Sequence, residues 1–272
     1  MIAIAIVPRA RSLSCLAIPP TKIPRGYSMP TSALFRDDPY LRQCTTRVTH
    51  LDESGLTLER TVFYPHGGGQ LGDTGVITLG DGSRLAIADA RKSQLPGATP
   101  DDVLHVPAPD QLAVLSKLAV GDEVAIEIDW ARRNRMMRLH TASHLMCGAL
   151  PYPVDGCSIT PDYARLDFVT SEPLARDEID ATLAKWVEAA RAVTIEQISD
   201  EALQANPDLV RTMSVKPPSG FGSVRLVRID GIDLQPCGGT HVANTAEIGP
   251  IHVTKMEKKT ARTRRVVLGF IE

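Results

Sequence analysis

Aromatic residues are scarce in this chain, 4% of 272 residues, which excludes a surface that grips a polynucleotide mainly by stacking bases on rings. No apolar run approaches the ~20 residues that a membrane span requires. A net charge of −2 rules out a global polycation, so any nucleic-acid surface must be local. The five cysteines, Cys15, Cys44, Cys147, Cys157 and Cys237, are odd in number and follow no disulfide spacing. They predict a reducing compartment, the cytoplasm on this reading. What is there in ordinary amount is apolar content, 43%, enough for one large domain or two ordinary ones.

Residues 1–33 lack any acid yet carry Arg9, Arg11, Lys22 and Arg25, with prolines at 8, 19, 20, 24 and 30. The apolar run at 2–7 has no basic residue ahead of it and is too short for a secretory core, so a signal peptide is excluded. An acid-poor segment with Arg and Ser weakly resembles an organelle transit peptide. The expectation is plainer: a disordered leader, or an over-extended start with Met29 as the real first residue.

From Thr45 to Asp129 short alternating runs are separated by turn residues. Arg47–Asp52 and Leu56–Phe63 flank Asp-Glu-Ser-Gly at 52–55, and Gly75–Leu79 and Arg84–Ala88 flank Gly80-Asp81-Gly82. Val103–Val106 and Glu123–Ile128 read as two further strands, with a helical turn around Asp110–Leu118. Six strands with tight turns predict a small antiparallel β-barrel or sandwich over 34–129.

The pattern changes at Asp129, which can cap a helix over Trp130–Leu150. A turn-rich link at Pro151–Pro161 leads to a strand at Ala164–Val169. A second helix is expected over Leu174–Ala192, opened by Ser171 and Pro173. Val193–Ile198 reads as a strand and Asp200–Arg211 as a short broken helix. Ser223–Ile229, Glu247–Met256 and Thr263–Ile271 read as three more strands. The fold class is α+β: an N-terminal antiparallel β-barrel followed by an α+β domain over 130–272.

Two short stretches carry metal-ligand chemistry. Arg138-Leu-His140-Thr-Ala-Ser-His144 places two imidazoles four apart, one turn up the same helix face. Gln235-Pro-Cys237-Gly-Gly-Thr-His241 places a thiol and an imidazole around a Gly-Gly turn that frees the backbone to wrap an ion. His140, His144, Cys237 and His241 suit one Zn²⁺ per chain in softness and tetrahedral number. Thr141, not Glu, follows His140, so the general base of a zinc protease is missing. Four protein ligands would fill the shell; a catalytic ion needs a weak ligand or a fifth position.

The stretch from His66 through Gly67, Gly68, Gly69, Gln70 and Gly72 to Gly75 satisfies the dinucleotide glycine spacing literally. The next segment is a hairpin and not a helix, so that reading fails. Consecutive glycines instead offer backbone N–H donors to a small polar ligand, or simply make a tight turn. Basic residues cluster at 132–138 and at 255–265, where Glu257 is the single acid among Lys255, Lys258, Lys259, Arg262, Arg264 and Arg265. Both runs flank the metal stretches, as the walls of a phosphate-backbone groove would.

With Phe63-Tyr64-Pro65 ahead of Gly67-Gly68-Gly69-Gln70, with His140 to His144, and with Cys237 to His241 followed by Glu247-Ile248-Gly249, the chain resembles the freestanding alanyl-tRNA editing proteins, in their medium-length form. These are similar to the editing domain of alanyl-tRNA synthetase. The resemblance covers roughly Leu34 to Phe270 and departs from the family in the basic, glycine-poor stretch 256–265. It implies a zinc-dependent deacylase acting on tRNA(Ala) charged with serine or glycine, with His140, His144, Cys237 and His241 as ligands. Thr141 and Gln70 are the implied catalytic residues, and Gly67, Gly68, Gly69 and Thr240 the implied substrate pocket. Arg132, Arg133, Lys258, Lys259 and Arg264 are the expected tRNA contacts. A synthetase pocket for alanine rejects glycine and serine poorly, which is why a second, hydrolytic site is useful. A deacylase of the threonyl-tRNA type, a zinc-containing module that only binds tRNA, and a generic metallohydrolase are the competing readings. Oligomeric state is open, and no membrane partner is expected.

Overall fold

A computed structural model describes residues 31–96, 98–99, 101–210 and 222–271. The expected leader, apart from its last residues, lies outside them, as does Arg211. The chain is mixed α+β. Its first part is a closed six-stranded barrel of β1 (Gln43–Asp52), β2 (Gly55–Leu58), β3 (Gly75–Thr78), β4 (Arg84–Lys92), β5 (Val103–Pro107) and β6 (Glu123–Ile128). The order is β1-β2-β5-β4-β3-β6, with β6 pairing back onto β1, and every pair is antiparallel. Alternation dictates this: in β6, Val124, Ile126 and Ile128 point inward while the residues between them are exposed. Leu56, Leu58, Phe63, Ile77 and Leu85 fill the interior beside them.

Asp129 ends the barrel and caps α1 (Trp130–Ala149), its carboxylate accepting from the Arg132 N–H. Twelve of the twenty residues of α1 are buried, because neighbours surround it on several sides. It packs on β8 (Ala164–Val169), on α2 (Arg176–Glu188) and on a 3₁₀ turn at Thr245–Ile248. α2 buries Ile179 and Leu183, and it starts two residues later than Leu174, at Arg176. A second sheet runs β12 (Ile251–Thr260), β13 (Thr263–Phe270), β8, β7 (Val154–Ile159); a third runs β9 (Val193–Ile198), β10 (Val224–Ile229), β11 (Asp233–Pro236).

Three further expectations change. The link Pro151–Pro161 contains β7, which pairs antiparallel with β8. Its Gly and Pro content suggested turns, but β8 offers a free edge and pairing wins. β11 was not expected, and Glu247 belongs to the 3₁₀ turn ahead of β12 rather than to the strand. There Asn244 and Glu247 form a reciprocal capping box, which takes the backbone out of extended geometry.

The glycine stretch joins the layers. Gly68 and Gly69 hold φ of 60° and 84°, the left-handed region that a side chain disfavours. This turn lets the Gly69 carbonyl accept from Ile159 N–H at 2.7 Å and the Leu71 N–H donate to Ile159 O at 3.1 Å. The loop thereby extends the edge of β7. Behind it, Asp73 receives the guanidinium of Arg133 from α1 and the Tyr64 N–H. The loop and α1 are thus tied together by a buried ion pair.

Candidate metal centre

α1 presents His140 and His144 one turn apart, both buried. The chain after β11 brings Cys237 and His241 to the same place. One ligand atom from each of the four residues lies within 4.8 Å of all the others. Cys237 Sγ is 3.5 Å from His140 Nε2 and 3.3 Å from His241 Nε2. Tetrahedral ligation with bonds of about 2.0 Å to nitrogen and about 2.3 Å to sulfur requires separations near those values.

Each imidazole is held by a second partner on its other nitrogen. His140 Nδ1 donates to Gln70 Oε1 at 2.8 Å. That same oxygen accepts from Thr240 N–H at 3.1 Å, while Gln70 Nε2 donates to Thr240 Oγ1 at 2.9 Å. His144 Nδ1 donates to Asp233 Oδ2 at 2.9 Å. Gln235 Nε2 donates to that carboxylate at 2.8 Å, so its 3.1 Å approach to His144 Nδ1 is donor beside donor and adds no bond. Thr141 Oγ1 donates to Met137 O at 2.9 Å and lies 3.2 Å from His241 Nδ1, whose proton it accepts. These contacts fix the Nδ1–H tautomer in all three rings and leave three Nε2 lone pairs for a shared cation. The residues fit a single Zn²⁺ by donor type, spacing and orientation.

Charges in the metal-free site act strongly on one another, and a cation would have to displace the second proton of His144. Burial opposes ionisation of the Cys237 thiol, yet His140 and His241 beside it bring its pKa well below the ordinary value. Gly239 N–H donates to the same sulfur at 3.4 Å. Burial also lowers His144, but the bond to Asp233 and the Cys237 sulfur outweigh it and raise the ring to about 10 in the metal-free protein. Burial and the neighbouring His140 depress His241 well below its usual range. Cys237 is the one ligand partly open to solvent; the three histidines are buried.

The expected site residues divide in two. His140, His144, Cys237, His241, Gln70, Thr141 and Thr240 come together. Gln70 and Thr141 are fully buried, and their polar atoms bond to His140 and His241. Thr240, 1% exposed, is enclosed with them. Gly67 and Gly69 are half-buried and Gly68 is exposed; among the described residues no backbone carbonyl accepts from the Gly68 or Gly69 N–H.

The expected polynucleotide contacts fare differently. Arg133 is a correction: fully buried, it binds Asp73 and the carbonyls of Val62 and Pro39, because its position on α1 faces the barrel. Lys259 and Arg265 both pair with Asp167, and Lys255 and Arg265 with Glu257. Arg264 is bound to the Ser171 and Thr260 carbonyls. Arg132 is half-buried, its guanidinium 3.4 Å from Gly72 O, and Lys258 is exposed. Asp233, Gln235 and Arg225 belong to the site and were not anticipated. The signal was present for the first two: in a strand, 233, 235 and 237 share one face.

Residues 224–267, from β10 through most of β13, match the family described as the threonyl and alanyl tRNA synthetase second additional domain. Those residues define the class of this segment as a synthetase additional domain. The chain is 34% identical over 238 residues to the alanine–tRNA ligase of Ignicoccus hospitalis and 36% identical over 238 residues to that of Metallosphaera sedula. Each match covers 84% of this chain but only 25% of the ligase, so the chain spans about a quarter of those enzymes. With the alanyl-tRNA editing protein AlaX-M of Saccharolobus solfataricus it is 33% identical over 249 residues, covering 87% of this chain and 97% of that protein. The chain belongs to the family of freestanding alanyl-tRNA editing proteins.

Proposed function

We propose that the protein is a trans-editing hydrolase that deacylates tRNA(Ala) mischarged with serine, and with glycine, through one Zn²⁺ held by His140, His144, Cys237 and His241. The observation that carries the reading is the convergence of three oriented Nε2 atoms and one partly exposed thiolate, in a member of the alanyl-tRNA editing family. When bound, the ion supplies Lewis-acid polarisation of an ester carbonyl. The chain itself supplies orientation. Gln70, Thr141 and Asp233 keep the imidazoles aimed, and Arg225 Nη1 donates to Cys237 O at 2.6 Å and Gly239 O at 3.1 Å, fixing the thiolate turn. The Gly68 and Gly69 amides are the donors offered to a seryl hydroxyl, the group that distinguishes the wrong ester from the right one. Asp233 is engaged by His144 and Gln235, so it is not the general base; water attack relies on a substrate hydroxyl or an ordered water for proton transfer.

In this proposal residues 34–129 form the barrel domain and 130–272 the editing domain, and the protein works in the cytoplasm, where a thiolate ligand stays reduced. Because the matching family spans threonyl as well as alanyl enzymes, a deacylase of the threonyl-tRNA type is the second reading. The test is ester loss from Ser-tRNA(Ala), Gly-tRNA(Ala), Ala-tRNA(Ala) and Ser-tRNA(Thr), with and without a chelator. Selective, chelator-sensitive loss from the first two supports editing; equal loss from all, or none from any, overturns it. Preference for Ser-tRNA(Thr) would transfer the function to the second reading.

A further inference from the structure

We propose that Arg225, with Arg36 on the glycine-loop side of the same mouth, seats the phosphodiester 5′ to the terminal nucleoside of the substrate. The proposal rests on the reading of the site as one that takes an aminoacyl ester of tRNA. Such an ester must approach from the Cys237 side, the only side on which a ligand is partly exposed. Gly238, next to Cys237, is exposed, and a Cβ built there would meet nothing within 4 Å, so the approach is open.

The cations expected from the sequence are mostly committed elsewhere: Arg133 to Asp73, Lys259 and Arg265 to Asp167. Arg225 is different. It lies on β10, and its backbone carbonyl accepts from Cys237 N–H at 3.2 Å while its Nη1 holds the Cys237 and Gly239 carbonyls. A guanidinium has five N–H donors. Among the described residues Nε has no partner, and no bond from Nη2 is present. Arg225 makes no ion pair with a carboxylate there.

Arg36 arrives from the other wall. Its neighbour Phe35 packs edge-on against Tyr64, with ring centroids 5.5 Å apart, and Tyr64 OH donates to Gly67 O at 2.8 Å. The single-turn helix Leu34–Asp37 is therefore fixed beside the glycine loop. Arg36 pairs with Asp101 across solvent, both side chains more than a third exposed, a bond of little strength that a phosphate can displace. A guanidinium with unused N–H donors on each wall suits an anion with several acceptor oxygens. With aromatics scarce, a phosphate contact suits this mouth better than base stacking.

The experiment measures binding of a labelled, deacylated single-stranded oligoribonucleotide ending in CCA, by fluorescence anisotropy from about 50 to about 200 mM salt. Arg225→Gln is expected to weaken binding roughly tenfold at low salt and to reduce the log–log salt slope by about 0.7, independent of the bases upstream. Arg36→Gln should act in the same direction. Zinc content of each variant checks the thiolate turn; if Arg225→Gln loses metal, Arg36→Gln carries the test. Unchanged affinity and slope in the metal-replete variants overturn the proposal while leaving the editing reading standing. Failure of the wild type to bind the oligonucleotide at all counts against the editing reading itself, and the proposal falls with it.

Discussion

Gln70 Oε1 sits 2.8 Å from His140 Nδ1 and 3.1 Å from the Thr240 amide, so one carboxamide from the barrel loop aims a ligand on the helix and anchors the residue before the last ligand. Replacing it with Leu keeps the volume and removes both bonds together with the one from Nε2 to Thr240 Oγ1. Gln70→Leu is expected to lower zinc affinity ten- to a hundredfold, the usual cost of losing an outer partner. Competition with a chromophoric chelator measures it. Wild-type affinity in this variant would show that Gln70 does not orient His140.

Thr141 gives a sharper comparison, because its hydroxyl accepts from His241 Nδ1–H and from Val242 N–H at 3.2 Å. Thr141→Val leaves both donors buried and unpaired, at a cost of about 1–3 kcal/mol each before relaxation. Thr141→Ser keeps the hydroxyl. Urea unfolding with metal titration should therefore place the Ser variant near wild type and the Val variant well below it in both stability and zinc affinity. Two equivalent variants would mean that the methyl, not the hydroxyl, is what the site uses.

The two glycines after Cys237 are predicted to differ. A Cβ on Gly239 would overlap the His140 ring, whereas one on Gly238 meets open space. Gly239→Ala should displace His140 and abolish stoichiometric zinc binding; Gly238→Ala should retain it. Metal analysis of the two purified proteins is sufficient, and a metal-replete Gly239→Ala protein would contradict the packing.

A pH effect arises far from the metal. His105 in β5 is fully buried, with Nε2 2.8 Å from Thr61 Oγ1 and Nδ1 3.2 Å from Leu56 O. Burial lowers its pKa from 6.5 to about 4. The unfolded chain takes up this proton near pH 6.5 and the folded barrel only near 4, so the His105 contribution is complete above 6.5 and is lost as pH falls toward 4. The loss is about 3 kcal/mol. Urea melts across that window, set beside the NMR titration of the His105 ring, check it. A ring that titrates near 6.5 in the folded protein removes the effect.

Much of this was legible in the residues. Strict alternation in Glu123–Ile128 specified a half-buried strand, and that strand has those bounds. His140 and His144 at helical spacing, and Cys237 and His241 around two glycines, marked the four residues whose donor atoms cluster in the fold. Local periodicity suffices for such features because the helix and the strand impose their own repeat. What the fold alone decided is which groups stand behind the ligands and which cations remain available. Gln70 reaches His140 across 70 residues and Asp233 reaches His144 across 89, separations that leave no local trace in the sequence. Arg133 read as a surface cation until the barrel was placed against α1, where burial demanded a partner and Asp73 supplied it. Arg225, inconspicuous within an apolar strand, became the cation beside the thiolate turn only when β10 and β11 paired.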